Sequence, residues 1–169
     1  IYGGEYGYLY NPKQLRFLLK DSIGLDVNDV LQELPVSSHS PIIGWAYDGH
    51  PIYGPYGYVD PENTAPFNQY KRIRTSYRVK TSRASILSGL TDPLGTYIED
   101  YEYVEGLGDL DRYNGRFCVT PEYPNGVYAY FTTITGTTGN PAFPYFVGPQ
   151  FYGEADAVNW NGNGLQKNF

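Results

Sequence analysis

The sequence predicts a mainly β fold, a sandwich-like or irregular antiparallel domain with one N-terminal helix and long Gly/Pro-rich loops. Three observations carry this. The 169 residues include 19 Tyr and 2 Trp, and aromatic bulk packs well on pleated surfaces. They also include 20 Gly and 13 Pro, so tight turns interrupt the chain often. From Ser40 onward, short runs with period-two alternation fall between those turns, while helical spacing is confined to the first 36 residues.

The elements follow in order. Residues 1–10 form a Gly/Tyr stretch with alternation, read as an edge strand. A helix is expected from about Pro12 to Ile23: Asn11 is the N-cap, Pro12 suits the first helical position, and Leu15, Leu18, Leu19 and Ile23 share a face before Gly24. Asn28 and the residues after it predict one more helical turn, stopped by Pro35. Ile42 to Tyr47 is a short apolar strand and Asp48-Gly49 a tight turn. Pro51 to Tyr58 reads as irregular, because its prolines and glycines oppose regular pairing. Arg72 to Lys80 alternates as one strand, with Arg72, Arg74, Ser76, Arg78 and Lys80 on one face. Tyr97 to Glu105 is an acidic strand placed to neutralise it. Asn114 to Thr120, Gly126 to Thr135 and Ala142 to Val147 complete the strands. The organisation expected is an N-terminal strand and helical cover over residues 1–36, a β domain over 37–153, and a polar tail or linker over 154–169.

Composition limits the function. A chain of this length supports one well-buried domain with appendages. Its net charge of −6 and pI near 4.8 oppose binding to a nucleic-acid backbone. The single cysteine, Cys118, excludes an internal disulfide framework. No apolar run is long enough to cross a bilayer, and the start at Ile1 reads as a processed product or a piece of a longer polypeptide.

Four blocks recur in a recognisable order. They are Asp-Gly-x-Pro-Ile-Tyr-Gly (Asp48, Gly49, Pro51, Tyr53, Gly54), Asn114-Gly115-Arg116, a block from Thr120 through Glu122, Tyr123 and Pro124 to Tyr128 and Tyr130, and Pro144 to Gly148. From Ser40 to Gly148 this order resembles the YHYH domain family, in the form found in large virion structural proteins of marine cyanobacterial phages. The resemblance implies a virion or extracellular location and a structural role for these motif residues. The Tyr-His-Tyr-His string itself stands here as Tyr128, Ala129, Tyr130 and Phe131. Both histidines are replaced, so imidazole chemistry at those positions does not carry over.

Candidate chemistry is sparse. Asp48 and His50 meet at one turn and read as an acid/base pair or two metal ligands, against the plainer reading of a self-bonded Asp-Gly turn with an exposed imidazole. Asp109 and Asp111 are the calcium candidates in an acidic stretch that lacks the EF-hand pattern; solvated charge is the preferred account. Cys118, between Phe117 and Val119, reads as a buried inert thiol. The cations Arg72, Arg74, Arg78 and Lys80 suit an acidic partner, and more readily the acidic strand or a neighbouring subunit. Tyr56 and Tyr58, with Tyr53, suit stacking on sugar rings or, as the preferred reading, an aromatic plug under a rigid loop.

The resemblance, together with the scarcity of catalytic groups, implies a non-catalytic, assembling domain of a phage virion, tail-fibre protein or related extracellular filament. Its expected partners are other copies of itself or the rest of a longer polypeptide, with no nucleic acid, no membrane span, no cofactor and no metal. A carbohydrate- or receptor-binding module is the alternative, and a metal-dependent hydrolase at Asp48 and His50 a weaker one.

Overall fold

The computed structural model describes residues 8–63, 69–83, 89–136 and 138–155. The chain is mainly β, and its strands gather in several small sheets of the irregular kind. The one α-helix among the described residues, α1 (Lys13–Leu18), is followed by a hairpin of β1 (Ile23–Leu25) and β2 (Leu31–Glu33). Together they form an N-terminal arm. Of the expected edge strand, only Tyr8 to Tyr10 are described, and they are not strand. Most of the expected tail also lies outside the described residues.

The arm departs from the sequence reading in two places. The helix stops six residues in, and its buried residue is Arg16, while Leu18 and Leu19 face solvent. Asn11 makes no cap bond, because its side chain is taken up by Arg16 and Glu33. Lys20 then adopts φ 60°, which ends the helix. The expected second helical turn is instead the loop and second strand of the hairpin. Asp26 Oδ1 accepts the backbone N–H groups of Asn28 and Val30, an arrangement that competes with helix, and Ile23, Gly24 and Leu25 pair with Glu33, Gln32 and Leu31.

The centre is a four-stranded sheet in the order β3 (Ile42–Trp45), β4 (Pro51–Tyr53), β10 (Val127–Phe131), β9 (Gly115–Cys118). β3 and β9 pair antiparallel to their neighbours, while β4 and β10 run parallel. Pro51 opens β4, where a missing N–H is tolerated. The stretch read as irregular thus contributes two strands, β4 and β5 (Tyr56–Tyr58), separated by Pro55. β5 pairs with β6 (Tyr70–Arg72) and β7 (Tyr77–Val79) with β8 (Tyr101–Tyr103).

The long basic strand predicted over Arg72 to Lys80 is therefore two strands. Between them, Ile73 and Ser76 are buried, and Asp109 Oδ2 accepts the Arg74 N–H at 2.8 Å, which withdraws that backbone group from a ladder. The first part of the acidic strand is likewise a 3₁₀ turn, Ile98–Asp100, before β8. A short ladder of β11 (Ile134–Thr135) with β12 (Asn140–Pro141) replaces the strand expected over Ala142 to Val147.

Alternation along β10 divides the core. Ala129 and Phe131 join Tyr53, Ile73, Leu110 and Cys118 in one cluster, while Tyr128 and Tyr130 join Ala46, Ile52, Tyr113, Val147 and Phe151 in another. The period of two puts these sets on opposite faces.

Candidate functional site

The motif residues converge around the two faces of β10. On the tyrosine face, Tyr130 donates its hydroxyl to Asp48 Oδ2 at 2.6 Å, and Tyr128 donates to Asp111 at 2.9 Å. The same Asp48 oxygen accepts the Gly153 N–H at 3.0 Å, and the Tyr130 oxygen accepts the Tyr152 N–H at 2.7 Å. The Tyr152 ring stacks on Tyr128 with centroids 3.6 Å apart. Burial, then the neighbouring carboxylate, raises both phenol pKa values well above the usual tyrosine range. Neutral phenols suit hydrogen-bond donation to carboxylates and oppose phenolate chemistry.

Local backbone explains why these residues meet. Gly49 takes φ 80° in the turn after Asp48, and Asn114 takes φ 62° before β9, a conformation Asn tolerates well. Asn114 Nδ2 donates to the Phe131 and Phe146 carbonyls, and Asp111 Oδ1 accepts the N–H groups of Tyr113 and Gly115. Gly115 lies directly beneath the Tyr128 ring, and a side chain there would collide with it.

The plain turn reading holds for Asp48, whose Oδ1 accepts the His50 N–H at 3.4 Å, but His50 is half-buried where that reading has it exposed. Its ring lies edge-on to Tyr128, Tyr130 and Tyr152, at centroid distances of 5.2, 6.3 and 5.6 Å. The Asp48 carboxylate is engaged by Tyr130 and the strap at Gly153. Among the described residues no group of three His, Cys, Asp or Glu side chains is placed to hold a metal.

On the opposite face, Tyr53 is fully buried and donates to Glu122 Oε2, with Thr120 Oγ1 also at 2.9 Å. Thr120 and Tyr123 close the Thr-Pro-Glu-Tyr turn through reciprocal backbone bonds, with Pro124 just beyond it. Arg116 donates from Nη2 to the Tyr58 carbonyl at 2.9 Å and lies over the Phe131 ring. Arg116 and Glu122 thus each make a fixed hydrogen bond. His39 packs against Tyr53, Tyr58 and Phe131 and donates from Nδ1 to the Ser40 carbonyl; burial lowers its pKa, which keeps it neutral. Burial likewise raises the Cys118 thiol, as befits an unreactive core sulfur. Ala129 and Phe131, at the histidine positions of the motif, face this side and offer no ligand atom.

The remaining expected site residues separate. Asp109 binds Lys71 at 2.6 Å and the Arg74 N–H, while Asp111 serves Tyr128, so the two carboxylates have different partners. Arg78 pairs with Glu102 opposite it on β8, Arg72 donates to the Gly136 carbonyl, and Lys80 donates to the Glu99 carbonyl. Tyr56 and Tyr58 are buried, which corrects their reading as a ligand or partner surface and agrees with the aromatic plug preferred for them: Tyr56 donates to Glu33 and Tyr58 packs on Tyr70. Their rings fill space beneath the arm and β6.

Sequence reasoning missed a second network entirely. Arg16 is fully buried and binds Asp21 Oδ2 at 2.7 Å, Glu33 at 2.7 and 3.0 Å, and Asn11 Oδ1 at 2.7 Å. Ser40 donates to Asp21 and accepts the Tyr56 N–H, so the arm is bolted to the start of β5. Gly54 permits this approach, because a Cβ there would sit 2.7 Å from Asp21 Oδ2. Burial opposes the Arg16 charge, but the Glu33 hydrogen bond and the charges of Asp21 and Glu33 outweigh it and raise its pKa. For Glu33, Arg16 outweighs burial in the same way and holds the carboxyl below its usual range.

Comparison with known proteins returned no matching curated protein and no matching solved structure. The family model described as "YHYH protein" matches residues 2–142. That span takes in the arm as well as the motif blocks and stops before Pro144 to Gly148. With most of its length matched, and with the motif residues assembled on the faces of one strand, the chain belongs to the YHYH protein family.

Proposed function

We propose that this domain is a structural, assembling module of a phage virion, tail-fibre protein or related extracellular filament, and that it turns over no substrate. The observation that carries this reading is the arm. Leu18 is 68% exposed, Val27 99% and Val30 57%, with Leu25 and Leu34 also open to solvent. Hairpin tips ordinarily carry polar turn residues, so valines at Val27 and Val30 mark a surface for contact. The buried Arg16 network holds that apolar surface in a fixed orientation. Such a network adds little net stability over apolar packing but specifies geometry, which is what a docking element needs.

The site chemistry agrees with this reading. Asp48, Asp111, Glu122 and Glu33 each accept hydrogen bonds that join separate segments of the chain. Each of these carboxylates is thereby engaged by the fold.

Sedimentation velocity over a range of concentrations tests the proposal. The chain is expected to self-associate, or, where it is part of a longer polypeptide, to bind an adjoining segment of it. The Val27→Asp/Val30→Asp variant is expected to lose that association at unchanged melting temperature. Association unaffected by the double substitution, or a monomer at every concentration that binds no adjoining segment, overturns the reading.

A further inference from the structure

We propose that the groove beside β3 binds a neutral carbohydrate, with saccharide rings lying against Trp45 and Tyr47. The groove has a volume of about 530 Å³, and its walls include Ile43, Trp45, Tyr47, Tyr145, Phe146 and Phe151. That is the size and aromatic character of a ligand site.

Three observations select the ligand. First, no lining side chain carries a charge at neutral pH, in a chain of net charge −6. An anionic ligand would meet repulsion with no cation to offset it, and a cationic one would find no carboxylate in the walls. Second, β3 is an edge strand whose pairing shifts register between Ile42 and Gly44. A bulge at an edge works against addition of another strand, which disfavours a peptide or a second copy docking by β-pairing. Third, Trp45 and Tyr47 are 58% and 49% exposed while Ala46 between them is buried. Two rigid amphipathic rings are thereby turned outward together, and Tyr47 is braced edge-on by Phe151 at 6.2 Å.

An edge strand also presents outward backbone N–H and C=O groups. A purely apolar ligand would desolvate them without replacing their hydrogen bonds. A saccharide offers a C–H face to the rings and hydroxyls to the backbone, so it satisfies both parts of the surface.

The site uses residues other than the arm's exposed apolar tip, so this inference and the assembly reading fail independently. The test is binding of the 169-residue chain to an array of neutral glycans, followed by calorimetry with the best-bound oligosaccharide and with an acidic one, oligogalacturonate. Trp45→Ala is expected to weaken binding about tenfold or more. Gly44→Val is a second variant at a lining residue: a Cβ at Gly44 meets nothing within 4 Å, so the substitution begins in open space. It is expected to abolish binding while the melting temperature holds. The acidic oligosaccharide is expected not to bind. No neutral glycan bound, binding unchanged in both variants, or a groove that takes up only a proline-rich peptide, a detergent or a second copy each overturns the proposal.

Discussion

The arm clamp buries its carboxylates and the tyrosine layer half-buries its own, and the two satisfy them by different means. In the clamp, the Arg16 guanidinium lies between Asp21 and Glu33, with its shortest contact to each carboxylate at 2.7 Å. In the layer, the donors recorded on Asp48 and Asp111 are phenols and backbone N–H groups. The first arrangement places a full charge inside the protein, where losing one partner strands another. The second spreads the work over neutral donors, each contributing modestly. An ion network therefore sets where the arm sits, and a phenol network knits the motif blocks to one another.

Removing the cation should break this comparison most visibly. Arg16→Met leaves Asp21 and Glu33 buried without their counter-charge and is expected to cost about 3–5 kcal/mol in denaturant unfolding, with β1 and β2 amides exchanging fastest. A cost near that of a surface substitution would mean that water replaces the guanidinium.

pH should separate the two networks next. The Glu33 carboxyl is held below its usual value of 4.5 in the fold, so its stabilisation is complete above that pH and is lost as pH falls through the folded value. The Tyr128 and Tyr130 phenols are raised above their usual 10.0, so their contribution is present below pH 10 and is lost as pH rises beyond it. Acid is expected to release β1 and β2 before β10, as read by hydrogen exchange across pH 3 to 7. Simultaneous loss of both regions would contradict the assignment.

Tyr128→Phe should act more gently. Asp111 keeps the N–H groups of Tyr113 and Gly115, so a loss of about 1 kcal/mol is expected in thermal or urea unfolding. The exposed Arg78–Glu102 pair sets the lower end of the scale. Arg78→Ala is expected to change stability by less than about 1 kcal/mol, and a larger loss would show that β7 and β8 depend on the pair.

How much of this was legible in the sequence depended on the kind of signal. Turn chemistry was readable: Asp48-Gly49 and the Thr-Pro-Glu-Tyr turn sit where their residue types demand. Period-two alternation correctly placed Tyr128 and Tyr130 on one strand, but over Arg72 to Lys80 it ran through a break made by Asp109, which is distant in sequence. Hydrophobic periodicity also misled in the arm. It marked Leu18 and Leu19 as the inward face, whereas the buried residue is Arg16, a side chain that such a pattern counts as outward. Nothing local announces that Asp21 and Glu33 will meet it, because their pairing depends on a hairpin read as helix. The aromatic groove beside β3 was hidden for a similar reason: nothing local in the sequence separates the exposed Trp45 and Tyr47 from the buried Tyr53, Tyr56 and Tyr58.

The motif carboxylates and phenols hold the fold together, and a double-mutant cycle between Asp48 and Tyr130 measures that coupling. The cycle uses Asp48→Ala, Tyr130→Phe and the pair, with unfolding free energies measured in urea. The 2.6 Å bond between them predicts that each single variant is destabilised and that the two are coupled by about 1 kcal/mol or more. Single losses that add to within about 0.5 kcal/mol, or variants as stable as the parent chain, would contradict it.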